Sequence, residues 1–159
     1  MHVLIQTCGS AGDVNPFVGL GRALADRGHD VTVFANGHFA GTIAAAGLDF
    51  VEHGTDAQYR ELIRDPDLWH PIRGTRVVFR AAVTDALEPM YRSIAERVRP
   101  GESVLVTSTL GFAAHLVRET HDVRLAIAHL APSVFRSVYR MPQFGGVMVP
   151  NRAPRVLKR

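Results

Sequence analysis

The 159-residue chain has a single cysteine, Cys8, so no internal disulfide can form, and that count suits a reducing compartment. It has one lysine, Lys158, against seventeen arginines, and these are scattered along the chain. A net charge of +3 with no basic block excludes a nucleic-acid site. No stretch reaches the roughly 20 apolar residues of a membrane span. Met1 to Thr7 lack the cationic start and long apolar run of a secretion signal, so the start of the chain is expected to belong to the fold and the address to be cytoplasmic. No two of the eight histidines share a helix face with a carboxylate at metal-ligating spacing, and no metal site is expected. His29, His38, His53 and His121 read as surface or strand-end residues. Repeats and low-complexity tracts are also missing.

What remains is an ordinary globular composition, 47% hydrophobic and 21% charged, with length for one domain over residues 1–159. Val3-Leu4-Ile5 is a continuous apolar run expected of a central strand, and it stops at Gly9, Ser10, Ala11 and Gly12. Pro16 suits the first turn of a following helix, with Asn15 or Asp13 as cap, Phe17, Leu20 and Leu24 as its apolar face and Gly28 as its stop. Strands at Val31–Ala35, Leu48–Val51, Val104–Val106 and Leu125–Ile127 alternate with helices at Phe39–Ala46 and Phe112–Glu119. Such alternation predicts an α/β fold, a doubly wound and mainly parallel Rossmann-like sheet with helices on both faces.

Residues 55–73 form a loop-rich excursion with one short helix near Tyr59–Arg64. From Thr75 to Arg99 the spacing predicts a long helix that Pro89 bends or divides. Its polar face carries Arg76, Arg80, Arg92, Arg97 and Arg99; core packing explains the apolar stripe more simply than membrane contact. After Leu130, four prolines and two glycines leave no clear final element.

The segment Thr7-Cys8-Gly9-Ser10-Ala11-Gly12-Asp13 lies where the first strand hands over to the first helix, the edge that faces the ligand crevice in open α/β sheets. Gly9 and Gly12 let a ligand approach the backbone, and the helix N-terminus would receive a polar group. A dinucleotide site is disfavoured: the G-x-G-x-x-G fingerprint is missing, and the second strand ends at Asn36 where an acidic ribose ligand belongs. Cys8 adjoins a helix N-terminus that would lower its pKa, but packing is the commoner fate of a lone strand-end cysteine. Asp13 alone reads as a helix cap. A flavodoxin-like module that binds a small polar ligand at this loop without chemistry is the alternative class.

Gly9-Ser10-Ala11-Gly12-Asp13-Val14-Asn15-Pro16-Phe17, continued by Leu20-Gly21-Arg22-Ala23-Leu24 and Arg27-Gly28-His29-Asp30-Val31-Thr32-Val33, resembles the opening of glycosyltransferases of the UDP-glucuronosyl/UDP-glucosyltransferase type, closest to the bacterial antibiotic-tailoring and sterol-glucosylating members. The resemblance resumes at His129-Leu130-Ala131-Pro132-Ser133 and Phe135-Arg136-Ser137. It implies the N-terminal half of a GT-B fold, a domain that binds a small-molecule acceptor. The nucleotide-diphosphate sugar sits on a C-terminal domain or partner polypeptide, and transfer inverts the anomeric centre without a metal. It also implies that Asp13 occupies the place of the general base. A carboxylate is a weak base toward an alcohol, so proton transfer is expected to be late and concerted.

Thr107, Ser108 and Thr109 follow the fourth strand at the same edge and either hydrogen-bond the acceptor, orient the base or cap a helix. Some relatives of the resembled family carry an acidic partner for the base there; here the strand end is hydroxylated. His129 and Ser133, with Phe135 and Met141, either border the acceptor pocket or pack their loop. Tyr59, Trp69 and His70 either stack on an acceptor ring or pin the excursion to the body. The His- and Gly-rich donor loop of the resembled family has no counterpart after residue 130, so this domain is expected to bind no cofactor and to be inactive alone.

Overall fold

A computed structural model describes residues 1–70 and 72–131 of the chain. Five strands, β1 (His2–Gln6), β2 (Asp30–Ala35), β3 (Asp49–Glu52), β4 (Ser103–Thr107) and β5 (Arg124–Ile127), form one sheet in the order β3-β2-β1-β4-β5. Every pairing is parallel, with Gln6 beside Phe34 on one side and Thr107 on the other. The chain moves outward from β1 to β2 and β3, then returns across the sheet to β4. Between the carboxyl ends of β1 and β4 lies the switch point at which such sheets bind ligands.

Helices cover both faces: α1 (Ala11–Ala25), α2 (Ala40–Ala45), α3 (Asp56–Arg64), α4 (Arg73–Phe79), α5 (Leu87–Ala95) and α6 (Phe112–Thr120). The two-residue period of β1 divides the core. Val3 and Ile5 pack with Val14, Phe17 and Val18 of α1 and Ile43 of α2, whereas Leu4 packs with Met90 and Ile94 of α5 and Val117 of α6. β1 is buried along its whole length, which is why its sequence is uninterrupted apolar residues framed by His2 and Gln6.

Three expectations shift. Helix α1 begins at Ala11 with Ser10 as its cap, so Pro16 lies inside it and supplies no N–H to the exposed Gly12 carbonyl. Its buried stripe is Val14, Phe17, Val18 and Gly21; of the expected face Phe17 is buried and Leu24 packs partly buried against the core, while Leu20 is exposed. The long helix divides upstream of Pro89, at a π-helical turn over Arg80–Thr84, and Pro89 sits in the first turn of α5 where its missing N–H costs nothing. The excursion holds α3, a 3-10 turn at Pro66–Trp69 and α4.

Candidate functional site

The carboxylate of Asp13 stands at the switch point, half-buried, in the first turn of α1. Its Oδ2 accepts from the Ser10 backbone N–H at 2.8 Å and from the Ser10 hydroxyl at 3.0 Å. Among the described residues no hydrogen bond reaches its Oδ1. Asp13 thus caps backwards onto Ser10 through Oδ2 alone. Gly9 makes room for this: its φ of +123° disfavours other residues, and a Cβ there would overlap the Asp13 carboxylate. Gly12 is in the first helical turn, and a Cβ there would meet only the Ser10 hydroxyl, at 3.6 Å.

Cys8 sits just behind this loop. Burial, with the Asp13 charge added, raises its thiol above the ordinary value, the reverse of the helix-terminus effect expected from sequence. A protonated thiol there is no nucleophile.

Across the switch point, the three hydroxyl residues at the end of β4 separate. Thr107 is fully buried, and its hydroxyl donates to the Gln6 carbonyl at 3.1 Å, so it braces β4 against β1. Ser108 is buried as well. Only Thr109 is exposed, with its hydroxyl 3.0 Å from Nδ1 of His129 beyond β5. Gln6 reaches the other way, its Oε1 accepting the Ala114 N–H in the first turn of α6. Asp13, Thr109 and His129 therefore share the carboxyl edge of the sheet, while Thr107 belongs to its interior. Ser133, Phe135 and Met141 lie outside the described residues.

In the excursion, Tyr59 does pin α3 to the body: its ring meets Phe39 edge-on at 5.4 Å. Trp69 stays 75% exposed, and its indole N–H donates to the Ile63 carbonyl at 3.2 Å. His70 Nδ1 accepts the N–H groups of Ile72 and Arg73 at the start of α4.

One arrangement has no sequence signal. His38 and Asp56, 18 positions apart, meet beyond β2 and β3 with Nδ1 2.6 Å from Oδ1. Arg60 donates to the other carboxylate oxygen at 2.8 Å, and the imidazole stacks on Tyr59 at 4.4 Å. The His38 hydrogen bond first, then that of Arg60, hold the Asp56 carboxyl below its ordinary value. No group of three His, Cys, Asp or Glu among the described residues is placed to hold a metal, and no described helix is long and apolar enough to cross a membrane.

The glycosyltransferase family 28 N-terminal domain matches residues 3–89, a span that runs from β1 through the Asp13 loop into α5. The chain belongs to that family. A sterol 3-beta-glucosyltransferase of Yarrowia lipolytica is 27% identical over 126 residues, 77% of this chain and 8% of that protein. The O-mycaminosyltylonolide 6-deoxyallosyltransferase of Streptomyces fradiae is 39% identical over 67 residues, 42% of this chain and 14% of that protein. Among solved structures, the glycotransferase of kitacinnamycin superposes with a TM-score of 0.63 at 22% identity, covering 81% of this chain and 30% of that one. SsfS6 from Streptomyces sp. SF2575, complexed with thymidine diphosphate, gives 0.61 at 23% identity, covering 81% and 38%. The fold of this family 28 domain is that of the N-terminal half of GT-B glycosyltransferases, and the chain spans about a third of such structures and a smaller share of the curated relatives.

Proposed function

We propose that this family 28 domain is the acceptor-binding half of an inverting, metal-independent transferase that moves a hexose from a nucleotide-diphosphate sugar to a hydroxyl of a small lipophilic acceptor. The observation that carries this is the Asp13 carboxylate, anchored through Oδ2 and open at Oδ1, above the switch point. As the acceptor oxygen bonds to the anomeric carbon, the bond from that carbon to the diphosphate breaks and its electron pair leaves with the nucleotide. The hydroxyl proton passes to Asp13 Oδ1. Anchoring through Ser10 fixes the base before the acceptor arrives.

The lipophilic character of the acceptor draws support from Leu110, Ile127 and Leu130, each more than a third exposed at the ends of β4 and β5 around the Thr109–His129 pair. A sterol 3-beta-glucosyltransferase and an O-mycaminosyltylonolide 6-deoxyallosyltransferase among the relatives agree with it. The donor belongs to a second domain or a partner polypeptide, so the chain alone binds the acceptor and transfers nothing. The test is Asp13→Asn in a chain joined to its donor half. Turnover should drop at least about 100-fold with little change in acceptor KM, and near-normal turnover overturns the assignment.

A further inference from the structure

We propose that His38 is a second acceptor-binding group, its Nε2 hydrogen-bonded to a polar group of the acceptor remote from the hydroxyl that is glycosylated. This rests on the acceptor-binding role just argued and extends it along the sheet edge. β2 is the immediate neighbour of β1, and His38 follows the end of β2 as Asp13 follows the end of β1, so both stand at the carboxyl edge.

The ring is held on several sides. Nδ1 meets the Asp56 carboxylate at 2.6 Å; a carboxylate oxygen only accepts, so Nδ1 carries the proton. Nε2 lies outside that contact, and no described residue hydrogen-bonds to it. The ring stacks on Tyr59 at 16° to its plane and meets Phe39 edge-on at 5.0 Å. Asp56 is fixed in turn by Arg60.

The loops beneath are tied as closely. The Asn36 amide oxygen accepts the His38 N–H at 2.9 Å, its amide nitrogen donates to the Thr55 carbonyl at 3.2 Å, and the Gly37 N–H donates to the Gly54 carbonyl at 2.9 Å. Glu52 fills the space where a side chain at Gly37 would stand. Exposed ion pairs contribute little to stability, so a network that orders one exposed imidazole so completely is better explained by ligand binding than by folding. In sequence, by contrast, His38 is one histidine among several that follow strands.

The test uses the chain as it stands, with a water-soluble hydroxysteroid as probe, and follows the imidazole nitrogens of His38 and the amides of Gly9 and Gly12 by NMR. Binding should move His38 Nε2 together with the Gly9 and Gly12 amides. His38→Phe, which retains a ring against Tyr59 but has no Nε2, should weaken the probe Kd about three- to tenfold with little change in thermal midpoint. If Gly9 and Gly12 respond while His38 does not, or His38→Phe binds normally, the His38 proposal falls and the Asp13 site stands. If His38→Phe lowers the thermal midpoint strongly and leaves Kd unchanged, the network is a structural clasp and the proposal is overturned. Silence at both places overturns the acceptor-binding role together with this extension of it.

Discussion

The carboxylate of Asp13 occupies the space that a Cβ at Gly9 would need. The relationship ties the loop conformation to the placement of the proposed base, because the residue that turns the chain with φ of +123° is also the residue that admits the carboxylate. Gly9→Ala should therefore cost about 1–3 kcal/mol, lowering the thermal midpoint by about 2–4 °C per kcal/mol. It should also release the Ser10 amide from Asp13, visible as a shift of that amide resonance. An alanine variant with both unchanged would show that the loop has slack.

Holding the base and acting as the base are separable. An amide oxygen in Asp13→Asn can still accept the Ser10 N–H, so the substitution should cost no more than about 1 kcal/mol in chemical denaturation. Transfer by the complete enzyme should be lost regardless. If Asp13→Asn unfolds the domain, capping is the dominant role of this residue.

Gln6 predicts a larger structural effect. Its Oε1 takes the Ala114 N–H in the buried first turn of α6, joining the end of β1 to the helix after β4. Gln6→Leu keeps the apolar bulk but strands that donor, a loss of about 1–3 kcal/mol measurable by denaturant titration. A neutral result would mean that water reaches the α6 N-terminus.

The pH dependence of stability has a defined sign at His2. Burial first, then the Arg99 charge, hold this imidazole below its ordinary value near 6.5; the terminal amine acts the same way, while Asp30 and Glu102 oppose it. The Ser103 hydroxyl is 2.9 Å from His2 Nδ1 and also accepts the Arg99 N–H. Below pH 6.5 the unfolded chain takes up the proton before the folded one does. Stability should thus be full above pH 6.5 and fall as pH drops through the folded value. His53, lowered by burial, adds in the same direction. Denaturation midpoints between about pH 7.5 and 5 should fall less steeply in His2→Gln; an unchanged slope would clear His2 of any part.

The sheet is legible in the sequence because each strand is an apolar run bounded by turn residues, and the expected strands match the observed ones to within about a residue at each end. Helix starts are less so. Pro16 is a strong local signal for a first turn, yet Ser10 caps α1 from an extended conformation well upstream of it, and by Asn15 the chain is already helical. Pro89 gives the opposite error: the apolar spacing from Thr75 to Arg99 runs through it, but the chain breaks before it and Pro89 starts α5. For Thr107 to Thr109, composition gives three hydroxyls, and only the end of the strand separates them: Thr107 closes buried β4, whereas Thr109 lies in the exposed turn that follows. His38 and Asp56 come together through the β2–β3 crossover, a relation that no local pattern encodes.

Cys8 offers a reporter for the charge of Asp13. Its thiol is raised by burial and, secondarily, by the Asp13 carboxylate. Since the thiolate is the reacting species, alkylation by iodoacetamide should be slow at neutral pH and accelerate only above the ordinary thiol range. Asp13→Asn removes the opposing charge, lowers the thiol pKa and enlarges the thiolate fraction at any fixed pH. Alkylation should then be faster in the variant than in the native chain, with the difference shrinking at high salt because part of the coupling crosses solvent. Equal rates would place the Asp13 charge too far from Cys8 to act on it, and with it the carboxylate away from the position that the proposed proton transfer requires.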